Sequence, residues 1–262
     1  MSMEDINPIS AFIRDGGNAA IFRTIACIGD SLSSGEFEAM DEKGEKTYHD
    51  MYQYSWGQYM ARAIGATVHN FSRGGMSAGW YMDTFADERG LWNQDLASQA
   101  YIMALGVNDI SLILAGQREM GALTDIDPSN WKNNRRTVIG DYAAILQRYR
   151  AIAPDSFFFL MTIPRSGEDS ERSRLEDEHR TLLLGLRDMF PRTYILDLRR
   201  WAPTYDEAFR RRYFVGGHMN PMGYIYTARL VLTYLDHIIE QDWDQFTQVG
   251  FINTPWKYIE KP

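Results

Sequence analysis

A serine, a pair of glycines, an asparagine and a histidine stand where they could share one reaction. Ser31 lies in Gly29-Asp30-Ser31-Leu32-Ser33, directly after the apolar run 23–28. Gly74 and Gly75 sit in Ser72-Arg73-Gly74-Gly75-Met76-Ser77, after a second run at 67–71. Asn108 follows a third run, 101–105, in Gly106-Val107-Asn108-Asp109. His218 comes late, in Gly216-Gly217-His218-Met219-Asn220-Pro221, where the last helical pattern opens. Acyl transfer needs a nucleophilic hydroxyl, a base to take its proton, and donors aimed at the developing oxyanion. The chain supplies each kind at the end of an apolar run or the start of a helix. The other histidines are weaker candidates: His49 falls in a polar loop, His69 in a strand, His179 and His237 on helices. None has metal-ligand spacing to another, so no metal site is expected.

The elements that must position these residues are legible from periodicity. The runs 23–28, 67–71, 101–105, 156–162 and 193–198 are short, apolar and rich in β-formers. Three show little alternation, as expected of strands buried on both faces of a parallel sheet. Helical patterns lie between them, at about 52–65, 134–152, 169–189 and 221–240. In the second, Val138, Tyr142, Ile145 and Tyr149 form an amphipathic stripe, and Pro154 ends it. Alternating strands and helices predict a doubly wound α/β sandwich around a five-stranded sheet. Ligands of such sheets bind beyond the carboxyl ends of the strands, which is where the four polar clusters fall. No repeat, low-complexity tract or linker divides the sequence, so one domain over 1–262 is expected.

Composition narrows the function. Across 262 residues, 27 Lys and Arg against 35 Asp and Glu give a net charge of −8, with no basic run. A nucleic-acid partner is therefore disfavoured, because binding one requires a cationic footprint. A single cysteine, Cys27, excludes an internal disulfide. No apolar stretch approaches the ~20 residues that span a bilayer, and no amphipathic docking helix is seen, so no membrane partner is expected. The first 22 residues lack the apolar core of a signal peptide, which predicts a cytoplasmic protein. After Glu240 come Trp243, Phe246, Phe251, Ile252, Trp256 and Tyr258. So aromatic a tail is expected to pack back on the body or against a second subunit, making a homo-oligomer one reading.

The four clusters together resemble the GDSL, or SGNH, hydrolase family across residues 23–224. Gly29 to Leu32 match its first motif letter for letter, and Gly106 to Asp109 complete its third, Gly-x-Asn-Asp. The second motif, a glycine after the second strand, is matched best by Gly75. In the fourth, His218, Pro221, Gly223 and Tyr224 fit, but Val215 stands where the family has an aspartate three residues before the histidine. The resemblance implies a three-layer, flavodoxin-like α/β/α fold, serine esterase or lipase activity on a small-molecule ester, and no cofactor. It also implies the roles. Ser31 would be nucleophile, and the Ser31 and Gly75 N–H groups with the Asn108 amide would form the oxyanion hole. His218 would be the base, while Asp30 and Asp109 would brace loops.

A triad acid fixes the histidine tautomer and supports the imidazolium, which a valine side chain cannot do. Two replacements are expected: a main-chain carbonyl near Val215, making a Ser31–His218 dyad, or Asp197 at the end of the fifth run. A catalytically weak family member that binds an ester or glycan is the alternative function. A second serine pattern, Gly75-Met76-Ser77-Ala78-Gly79, matches the nucleophile elbow of other hydrolases. A polar gap separates it from the preceding strand, so Ser77 reads as a turn or cap residue. Trp56, Trp80, Tyr81, Trp92 and Trp131 could line a sugar-stacking or acyl-binding surface, or simply fill the core. The polar loops at 34–50, 116–135 and 164–172 would carry specificity. Small acyl groups, such as acetyl esters on carbohydrates, are expected over long-chain lipids.

Overall fold

Among the described residues, nine strands run in chain order: β1 (Thr24–Gly29), β2 (Glu36–Met40), β3 (Lys46–Asp50), β4 (Thr67–Ser72), β5 (Ala100–Ala104), β6 (Phe157–Met161), β7 (Thr193–Leu196), β8 (Phe214–Val215) and β9 (His218–Met219). The structure, a computed structural model, describes residues 7–9, 12 and 15–259. Residues 1–6, part of the segment read for a leader, lie outside those described.

The five expected runs form one parallel sheet in the order β4-β1-β5-β6-β7. Its strands alternate between two cores, which is why the runs are apolar throughout. Ile25, Cys27, Ile102, Phe157 and Phe159 face one layer, built on the helices Trp56–Ile64 and Pro221–Gln241. Ala26, Ile28, Tyr101, Met103, Phe158 and Leu160 face the other, built on Val138–Ile152 and Glu171–Met189. Each of these helices opens on a side-chain cap: Ser55, Thr137, Ser170 or Asn220 accepts a backbone N–H of the first turn. The result is the α/β/α sandwich that the sequence predicts.

The C-terminal segment packs back on the body through its first half. Phe246 stacks on Phe157 with ring centroids 4.4 Å apart, and Val249 and Ile252 are buried, whereas Trp256 and Tyr258 are exposed. Among the described residues, no helix is long and apolar enough to cross a membrane.

One expected loop is not a loop. Residues 36–50 fold as an antiparallel hairpin, β2 with β3, pairing Glu36 with Asp50 and Met40 with Lys46. Asp41 Oδ1 accepts the N–H groups of Lys43 and Glu45, and Gly44 closes the turn at φ +78°. His49 thus lies on a strand rather than in a loop.

Candidate active site

The carboxyl end of β1 leads directly into the serine turn. A Cβ on Gly29 would collide with Ser33, so the chain can tighten there only as glycine. Asp30 then caps the short helix Ser31–Ser34, its Oδ1 accepting the Leu32 N–H at 3.0 Å. Burial pushes the Asp30 carboxyl up to about 7. Ser31 is half-buried, the first residue of that helix.

After β4 the chain turns through Arg73 to Met76, whose N–H bonds back to the Arg73 carbonyl at 3.3 Å. Gly75 holds the third turn position at φ +73°, a conformation that favours glycine. Ser77 is buried, and its Oγ accepts from Trp80 N at 3.2 Å, so it is a helix cap. After β5, Asn108 Nδ2 donates to the Met76 carbonyl at 3.1 Å. Asp109 Oδ1 accepts the Ala78 N–H at 2.9 Å. The third motif therefore ties down the loop that carries the second. An amide nitrogen has two hydrogens, so Asn108 keeps one for another acceptor.

His218 opens β9, opposite Val215 in the β8–β9 pair, and β9 packs on the helix that starts at Ser31. Its side chain is only 14% exposed, and two glutamates of β2 flank it. Glu36 Oε1 lies 3.0 Å from Nε2, and Glu38 Oε2 lies 3.6 Å from Nδ1. Residues two apart on a strand share a face, so one strand presents a carboxylate to each ring nitrogen. The Tyr48 ring, from β3, meets the imidazole edge-on at 5.5 Å. An open cleft of about 490 Å³ lies over this group, bordered by Glu36, Tyr48, Asp50, Arg73, Gly74, Gly75, Trp80 and His218. Beneath the serine turn lies a more apolar cavity of about 320 Å³, walled in part by Leu32, Trp56 and Met219.

Neither expected orienting group holds the ring. Nδ1 is buried without a hydrogen-bond partner, so no carbonyl near Val215 takes it, and the Val215 side chain is 57% exposed. Asp197 is engaged elsewhere. Arg180 grips it from Nε and Nη2 at 2.6–2.9 Å, Thr162 Oγ1 lies 3.1 Å away, and its Oδ1 caps Arg200 N. It follows β7, three strand positions from β1, which is about 14 Å at ~4.8 Å per strand. Of the aromatics considered from the sequence, Trp80 reaches the open cleft, and Trp56 is buried against the lower cavity. Tyr81 is buried in the core, while Trp92 and Trp131 pack on Arg148.

Sequence reasoning missed Glu36, Glu38 and Tyr48. The signal was present as period-two spacing of Glu36 and Glu38, followed by an Asp41-to-Gly44 turn. A polar hairpin buries too few apolar residues to stand out from a loop.

A family model described as GDSL-like lipase/acylhydrolase matches residues 27–225. The chain belongs to this family. Solved structures share its fold at low identity. A family two carbohydrate esterase from Clostridium thermocellum, in complex with cellohexaose, is 16% identical with TM-score 0.56, covering 85% of this chain and 65% of its own. A carbohydrate acetylesterase from Sinorhizobium meliloti is 13% identical with TM-score 0.53, covering 82% and 99%. An acetyl xylan esterase is 13% identical with TM-score 0.52, covering 79% and 97%. None of the curated proteins matches the chain.

Proposed function

We propose that this GDSL-family hydrolase is a serine esterase that removes small acyl groups from hydroxylated, carbohydrate-like substrates. What supports the reading is that Gly75 and His218 border one open cleft, that Asn108 bonds the loop carrying Gly75, and that β9 packs on the helix that starts at Ser31. Ser31 Oγ attacks the ester carbonyl carbon while His218 Nε2 takes its proton. The N–H groups of Ser31 and Gly75 and the spare Asn108 N–H receive the oxyanion. His218 returns the proton to the leaving alcohol, and water then cleaves the acyl-enzyme by the same route. For this, Nε2 must leave Glu36 for Ser31. The open, polar cleft with exposed faces at Trp80 and Tyr48 suits a sugar, and stacking on such faces is a common way to hold one. The fold neighbours named as acetyl esterases support the same substrate class.

The test is turnover of p-nitrophenyl acetate and of acetylated sugars by the purified chain. Ser31→Ala should cost ~10⁵–10⁶-fold in kcat, as loss of such nucleophiles does, with an unchanged far-UV CD spectrum. A preference for C12 esters over acetyl would overturn the substrate class. No turnover, together with no labelling of Ser31 by a phosphonate, would leave a ligand-binding role as the better account.

A further inference from the structure

The fourth motif lacks its acid, yet the ring it should serve is not without one. His218 Nδ1 is buried, has no hydrogen-bond partner, and faces Glu38 Oε2 at 3.6 Å. We infer that Glu38, carried on the β2–β3 hairpin, is the positioning acid of this site, holding the Nδ1 proton of His218 so that Nε2 can serve Ser31. The inference rests on Ser31 and His218 being nucleophile and base.

The carboxylate is built into place. Its Oε2 accepts the Gly217 N–H at 2.8 Å, and its Oε1 pairs with Lys46 Nζ at 2.7 Å. The side chain is only 8% exposed. The glycine pair before His218 is explained by the same contact. A Cβ on Gly216, which sits at φ +63°, would collide with Glu38 Oε1, and one on Gly217 would lie 3.2 Å from Oε2. Those two residues are small where the hairpin acid lands.

Glu36 cannot take this part, because it lies on Nε2, the nitrogen that must face the serine. The two carboxyls are also shifted in opposite directions. Lys46 first, then the Gly217 N–H, hold the Glu38 carboxyl down to about 2. Burial pushes Glu36 upward. A charge-assisted N–H···O bond is about 2.8 Å long, so Nδ1 and Oε2 need close by only about 0.8 Å, a side-chain adjustment. During reaction the Ser31 proton moves to Nε2 and on to the leaving alcohol. The Nδ1 proton stays on the ring, and Glu38 remains ionised throughout.

The experiment measures kcat, KM and the pH profile on p-nitrophenyl acetate, with Ser31 labelling by a phosphonate in parallel. Glu38→Gln should lower kcat ~10³–10⁴-fold, the scale known for loss of a triad acid, while KM and Tm stay near wild type. The acid limb of kcat/KM should move to lower pH, since the imidazolium loses its facing anion. The other groups around the ring, Glu36 of β2 and Tyr48 of β3, with Asp50 beside Glu36 and Lys46 beside Glu38, are unchanged in that variant. Adding Val215→Asp to Glu38→Gln should restore at least tenfold, because position 215 lies opposite His218. A purely structural role for Glu38 would give no such rescue. A kcat loss below tenfold, or a larger loss that Val215→Asp does not relieve, overturns the inference while leaving the serine mechanism standing. Wild-type protein that neither turns over ester nor takes the label sinks both.

Discussion

Two pairs of acids surround the serine turn, one in the segments that leave the parallel sheet and one on the hairpin added to it. Asp30 follows β1 and Asp109 follows β5. Each is buried, and each gives an oxygen to a backbone N–H, Leu32 for one and Ala78 for the other. Burial pushes both carboxyls up to about 7. Glu36 and Glu38 instead face the imidazole, and Glu38 is held ionised by a lysine and an N–H. The motif acids thus shape loops, whereas the hairpin acids face the imidazole of His218.

Three substitutions sharpen that contrast. Asn108→Ala should have the largest effect, lowering kcat ~10²–10³-fold, the usual loss for one oxyanion donor, with a smaller change in KM. A KM change alone would assign Asn108 to the brace on Met76 and remove it from the oxyanion hole. Asp197→Ala should come next, and on stability. It leaves Arg180 and Thr162 without their partner, so about 2–3 kcal/mol is expected, less than for a fully buried pair because Arg180 is partly exposed. Denaturant titration should show that loss while kcat stays within twofold. A collapse of kcat at unchanged stability would return Asp197 to the catalytic apparatus.

The smallest effect concerns Asp30. Its carboxyl ionises near 4 in the unfolded chain but only near 7 when folded, so the folded state binds the extra proton between those values. Stability from this group is fully present below about pH 4 and is lost as pH rises through about 7. Asp30→Asn keeps a good helix cap and removes the ionisation. Relative to wild type, its stability should therefore rise by about 1–2 kcal/mol between pH 6 and pH 8, read from urea midpoints at the two pH values. A constant difference across that range would mean Asp30 ionises normally in the folded protein.

The parallel sheet was legible because its strands are buried on both faces, leaving apolar runs that nothing else in the chain imitates. The serine, glycine, asparagine and histidine were legible because each follows such a run or opens a helix. Glu38 was not, for two reasons. Its partner is 180 positions away in the chain, and period-two spacing on a polar, half-exposed strand looks like a loop. The fourth motif points to position 215, and the fifth run to Asp197, whereas the carboxylate that faces His218 Nδ1 stands seven residues after Ser31.

The hairpin joins the rest of the molecule at β9, at the helix that starts at Ser31 and at Tyr224. The Tyr224 hydroxyl donates to the Glu36 carbonyl at 2.7 Å, Phe37 lies against the rings of Tyr54 and Tyr224, and Gly217 holds Glu38. None of the five-stranded sheet's pairings runs through it. It can therefore open as a local unit at a free-energy cost below that of global unfolding. When it opens, His218 loses both neighbouring carboxylates at once while the sandwich stays intact. Inactivation by urea should then precede loss of the far-UV CD signal, and dilution should restore activity at the rate of hairpin closure, on the order of 1–10 microseconds, rather than at the rate of folding.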